Sequence, residues 1–150
     1  MYQFTFDGVS YTIGKLTAGV KNSFVAWLKP RYLCEAKDLL EAAEYIVERQ
    51  AVIAGSIFWT GTMSVHVATA VFSAEGERHL LRLLLGEHGV KLTDSTIEAM
   101  IAERDAENTR SEFREAWNLV WEEAEPKKLT ATGETSTPTA TLSANMDTPV

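Results

Sequence analysis

Three histidines, His66, His79 and His88, and one cysteine, Cys34, are the side chains in this chain best suited to chemistry. His79 and Glu75 stand four apart, with Arg78 beside them. A helix would place His79 and Glu75 on one face. A zinc site needs more ligands converging at such spacing, as in H-E-x-x-H. No such run occurs, so His79 reads as a residue at the edge of a helix. Cys34 would need a histidine and an oxyanion hole to act as a nucleophile. It follows Leu33 in a helical pattern and reads as a buried structural thiol. The carboxylate pairs Glu41/Glu44, Glu98/Glu103 and Glu122/Glu123 would do acid–base work only in a cleft that separates their pKa values. Their spacing fits solvated helix faces. The stretches "GTMS" and "SAEGE" lack the strand, loop and lysine of a phosphate cradle. No catalytic, cofactor or metal site is expected.

The elements that would carry these residues are mostly helical. "YQFTFDGVSYTIG" alternates, with Tyr2, Phe4 and Phe6 on one face and Val9, Tyr11 and Ile13 on one face of a second strand. Asp7-Gly8 between them predicts a tight hairpin turn over 2–13. Two strands alone are marginal in water, so the hairpin must lean on something else. From Leu16 the period becomes helical, through Val20, Phe24, Trp27 and Leu28, with Thr17 as cap. Pro30 should end or kink this helix. A second helix is expected from Arg31 to about Ile57. Leu33, Leu40, Ile46, Val47 and Ile53 are its apolar positions, and Glu41, Glu44, Glu48 and Arg49 its wet face. "TGTMS" reads as a loop and "VHVATAVF" as a short helix. Ser73 caps "AEGERHLLRLLLG", and Gly86 stops it. Ser95 with Glu98 fits a capping box for the next helix. Phe113, Ala116, Trp117, Val120, Trp121 and Ala124 form the clearest helical stripe.

Composition sets the limits. The chain has 150 residues, 45% of them hydrophobic, and a net charge of -7. That length fits one domain, and the acidity disfavours nucleic acid, whose phosphates need clustered Lys and Arg. A single cysteine cannot form an internal disulfide. The N-terminus lacks the basic and apolar regions of a signal peptide, and no apolar run is long enough to span a bilayer. Beyond Glu125 lie three of the four prolines and seven threonines. Such a segment buries too little surface to offset its ordering entropy. The expected organisation is a mainly α domain over 1–124 with an N-terminal β-hairpin, then a disordered Thr/Pro-rich tail over 125–150.

Trp27, Trp117 and Trp121 fall at helical spacing and read as core. Trp59 ends the apolar run "SIFWTGT" beside a loop, and either core or contact surface suits it. Together these features point to a binding or assembly protein.

The chain resembles the tail assembly chaperones of long-tailed (siphovirus-like) bacteriophages. "FTFDGVSYTIGKLTAGVKNSFVAWLKPRYL" looks like their hairpin leading into an amphipathic helix. "IFWTGT" followed by "FSAEGERHLLRLLLG" looks like their central helices, and "LTDSTIEAMIAER" resembles a frequent segment of theirs. The resemblance covers roughly 1–124 and implies a non-enzymatic protein. It would coat the tape measure protein, keep it soluble in the host bacterial cytoplasm, self-associate, and be absent from the mature virion. It also implies a longer frameshifted form whose extension engages the tail tube protein. In that scheme the frame shifts near Lys127-Lys128, where consecutive lysines can be encoded by a slippery run of adenines. A merely solubilising tail is the plainer reading. The candidate client contacts are Phe58, Trp59 and Met63. Competing readings are a minor structural component of the phage tail or neck, or a small enzyme with a hidden site. A transcription regulator is disfavoured by the missing basic recognition helix.

Overall fold

The computed structural model describes residues 1–124. The disordered reading of 125–150 and the frameshift position Lys127-Lys128 lie outside the described residues. Strands β1 (Tyr2–Phe6) and β2 (Val9–Ile13) precede seven helices among the described residues. These are α1 (Ala18–Leu39), α2 (Ala42–Ile53), α3 (Val65–Val71), α4 (Ala74–Leu85), α5 (Glu87–Lys91), α6 (Asp94–Asp105) and α7 (Glu112–Ala124). The expected mainly α domain with an N-terminal hairpin is what forms.

The strands pair antiparallel, with Phe4 opposite Tyr11 and Tyr2 opposite Ile13. Asp7 and Gly8 both take positive φ, 50° and 77°, as a two-residue primed turn requires. Phe4, Tyr11 and Ile13 are buried, whereas Val9, beside the turn, is exposed. The hairpin leans on α7 through Phe4 and Phe113, whose ring centroids are 5.1 Å apart. It is tied to α4 by the Gly14 N–H, which donates to the Leu84 carbonyl at 2.8 Å.

α1 corrects the expectation that a helix ends at Pro30 and a second one starts at Arg31. The helix runs through Pro30 to Leu39. Proline removes only its own N–H and crowds the carbonyl four residues back, a local cost. Burial of Phe24 and Leu28 before it and of Ala36 after it holds both halves in one helix. The break falls at Leu40, whose extended backbone (φ -104°, ψ 152°) ends α1. Glu41 then opens α2, its N–H donating to the Glu44 carboxylate at 3.3 Å. This helix stops at Ile53, short of the expected Ile57, ahead of Gly55 at φ 104°.

The break rephases α2. Val52 is buried, and Tyr45, Glu48 and Ala51 are partly covered. Ile46, Val47 and Ile53, expected to seek the core, point to solvent instead. Leu39, just before the break, is exposed with them.

Thr17 and Ser73 cap α1 and α4 as expected, Ser64 from the "TGTMS" loop caps α3, and α6 departs from expectation. The Thr17, Ser64 and Ser73 side chains accept from Val20, Val67 and Gly76 N–H groups. Gly86 ends α4 at φ 61°. For α6 the cap is Thr93, whose hydroxyl accepts from Thr96 N–H at 3.2 Å, so Ser95 lies in the first turn. Glu98, the expected box partner, instead binds Arg78 at 3.1 Å. Ile97 and Met100 lie on the buried face of α6.

Pro30 is exposed and sits mid-helix. Pro30→Ala restores a backbone hydrogen bond and should raise stability by about 1–3 kcal/mol. Urea unfolding of the two proteins checks this; an unchanged or lower midpoint contradicts it.

Candidate functional site

The segment between α2 and α3 makes a small folded knuckle. Ser64 N–H donates to the Phe58 carbonyl at 2.9 Å, and Phe58 N–H donates back to the Ser64 hydroxyl at 3.1 Å. Trp59 and Met63 form a bridge inside this pair. Alternation then sends Ile57 and Trp59 inward and leaves Phe58 39% exposed. Trp59, only 6% exposed, meets Phe24 edge-on at 5.7 Å and stacks with Trp121 at 6.1 Å. Trp59 is therefore a core residue that shows one edge at the surface.

That edge lies in a groove of about 300 Å³, lined by Leu16, Lys21, Trp59, Met63, Phe72 and Trp121 among others. Lys21 donates to the Thr60 carbonyl at 3.1 Å and braces the knuckle against α1. Of the expected contact residues, Trp59 and Met63 line the groove and Phe58 stands outside its lining. Sequence reading missed Phe72, the C-cap of α3, which is 79% exposed. Its position directly before the Ser73 cap was the available signal. An apolar residue there packs onto the helix that follows only if that helix offers an apolar fourth position. Here Glu77 occupies it.

Of the residues first considered for chemistry, His79 and His66 pack against aromatic rings, while His88 and Cys34 are exposed. The His79 ring lies flat on Trp27, centroids 4.3 Å apart. Arg31 covers Trp27 at 4.7 Å. His66 meets Tyr32 edge-on at 4.4 Å, with its Nε2 3.8 Å from a Glu48 carboxylate oxygen. The Tyr32 hydroxyl donates to that same oxygen at 2.7 Å. Burial first, and then this hydrogen bond, push the Tyr32 pKa up to about 12. His88 is exposed against the edge of Tyr11. Cys34 is exposed on α1, which corrects the expectation of a buried thiol. The helical pattern there was right, but Leu33 and Ala36 face inward and Cys34 does not.

Several carboxylates are engaged by neighbouring side chains. Glu77 binds Arg104 at 2.6 Å, and Glu103 accepts from the Ser111 hydroxyl at 3.1 Å. Among the described residues no three His, Cys, Asp or Glu side chains converge as a metal ion would require. No described helix is long and apolar enough to cross a membrane. Comparison with family models, with curated proteins and with solved structures finds no match.

Two predictions follow from this geometry. Trp59→Ala removes a buried ring and should cost about 3–5 kcal/mol. Phe72→Ser changes an exposed side chain and should shift stability by no more than about 0.5 kcal/mol. Similar urea midpoints for the two variants would contradict the assignment of Trp59 to the core.

The second concerns pH. Burial first, then Arg31 and Arg82, hold the His79 imidazole below its ordinary 6.5. The unfolded chain thus takes up a proton that the folded one resists. Stability from this group is complete above the unfolded value of about 6.5 and falls as pH drops from there toward the lower folded value. Denaturation at about pH 7.5 and about pH 5.5 should show that loss. His79→Phe keeps a ring on Trp27 and cannot titrate, so its loss should be smaller. An equal loss in both proteins excludes His79 as the source.

Proposed function

We propose that this chain is an assembly chaperone of the phage-tail type, which binds the tape measure protein and keeps it soluble during tail assembly. The observation that carries this reading is the apolar surface that an acidic body leaves open. Met63 and Phe72 line a groove floored by Trp59 and Trp121, and Phe58 adds exposed apolar surface outside that lining. Residues 1–124 hold 12 Lys and Arg against 18 Asp and Glu. An amphipathic client helix laid over such a groove buries its apolar face at the cost of few polar contacts. The surrounding charge keeps the free protein soluble while the groove is open. Weak contacts of this kind add up along a long client that many copies coat.

The exposed outer face of α2, with Ile46, Val47 and Ile53, is the surface proposed for self-association. A face this apolar, turned away from the core, is unusual for a helix packed on one side only. The reading carries with it action in the host cytoplasm, absence from the mature virion, and recruitment of tail tube protein by a longer frameshifted form.

Co-expression tests it. The wild-type chain should keep the tape measure protein in the soluble fraction and co-purify with it. The double variant Phe58→Ser/Phe72→Ser should lose most of that effect while its circular dichroism and urea midpoint stay put. A client that is equally soluble with the double variant, or that never co-purifies with the wild type, sinks the proposal.

A further inference from the structure

α3 stands between two grooves. Phe72 faces the one described above. Its other side, with α1, encloses a second groove of about 390 Å³ that nothing so far accounts for. The groove exists because α3 presents small residues, Thr69 and Ala70, opposite Trp27, Leu28 and Tyr32 of α1. Ser73 and Glu75 close one end. The end is fixed there by backbone: a Cβ on Gly76 would come within 1.8 Å of the Ala70 carbonyl oxygen, so α3 and α4 touch main chain to main chain.

The charges on the lining are unequal. Arg31 is the one Lys or Arg on it among the described residues, beside the imidazole of His66, and it is committed: it lies over Trp27 and pairs with Glu75. Glu35, one turn further along α1, is exposed at the rim and has no ion-pair partner among the described residues. Glu48 lies behind Tyr32, at the same end as His66. The floor is apolar, the rim has an unanswered carboxylate, and the body as a whole is acidic.

We propose that this groove takes a basic amphipathic helix of a protein partner. The aliphatic stem of a lysine or arginine would lie on Leu28 and Ala70, with its cationic head at Glu35. Long cationic side chains suit such a site because the stem covers apolar surface while the head stays at the wet rim. An acidic segment is disfavoured because Arg31 already has its counter-ion, and a wholly apolar one leaves Glu35 unanswered. Exposed Val65 extends the apolar wall along α3. The proposal deepens the chaperone reading by naming the chemistry of the client segment, and rests on that reading only for the existence of a protein partner.

The test uses the full chain and no client. Two synthetic helical peptides share one leucine/alanine face; one carries lysines on its polar face and the other glutamates. Each is titrated while the Trp27 indole and His66 ring signals are followed by NMR. The lysine peptide should shift both signals and bind more tightly than the glutamate peptide. Glu35→Gln should weaken it about fivefold, in keeping with one partly exposed charge pair. Glu122→Gln, on α7, should change its affinity little. The proposal is overturned by equal binding of the two peptides, by unmoved groove signals, or by equal losses for Glu35→Gln and Glu122→Gln. It is also overturned if free agmatine saturates the same signals as tightly as the peptide, which would make the occupant a small amine. Because no client enters, failure here leaves the co-expression result standing, and the reverse.

Discussion

The domain depends on how closely main chain can approach α4. Leu80, Leu81, Leu84 and Leu85 are buried, so this helix packs on more than one side. Glycine lies where two helices meet it or its cap. A Cβ on Gly76 would strike the Ala70 carbonyl, and one on Gly89 would come within 2.2 Å of the Arg82 carbonyl oxygen. Any side chain there would push α3 or α5 outward and open the core, since interiors tolerate little extra volume. Arg82 completes the arrangement by donating to the Gly89 and Leu92 carbonyls at 2.6 Å each, which secures the turn from α4 into α6. Both grooves take their shape from where α3 is held by this packing.

A parallel device fixes α7. Arg114 donates to the Arg104 carbonyl at 2.7 Å and also to that of Ala106, satisfying acceptors that the end of α6 leaves open. Buried Ser111 caps α7 and reaches back to Glu103. Arg104 lies over Trp117 and binds Glu77. Polar side chains thus tie helices together at their ends, while apolar ones are left facing out on α2, at Phe58 and at Phe72. The packing secures the helix ends and leaves this apolar surface uncovered.

Much of this was legible locally. Asp7-Gly8, the Thr17 and Ser73 caps, the Gly86 stop and the α7 stripe each act within a few residues, so sequence reports them. The misses share one cause, which is that tertiary packing chose between local options. Pro30 was overruled by burial on both sides of it. Thr93 rather than Ser95 caps α6, whose buried face carries Ile97 and Met100. The apolar residues of α2 gave a stripe but not its direction; a break at Leu40, without glycine or proline, turned that stripe outward. At the knuckle, alternation turned Trp59 into the core and left Phe58 exposed outside the groove, a choice that the run "SIFWTGT" alone does not make. The α1–α3 groove left no local mark, since it arises from small residues facing large ones across elements far apart in the chain.

The clasp at the edge of the hairpin has a mechanical consequence. The Tyr2 hydroxyl donates to the Glu123 carboxylate, and Lys15 binds its other oxygen at 3.1 Å. Glu123 precedes the last described residue, so any pull on the chain beyond Ala124 is delivered first to this corner. From there the load passes into β1, which lies along α7, and into the start of α1. Tension applied at that end therefore loads α7 and the hairpin together, and with α7 the groove that Trp121 and Ala124 line, before it reaches α2. The α1–α3 groove, whose lining includes no residue of β1, β2 or α7, lies off that load path.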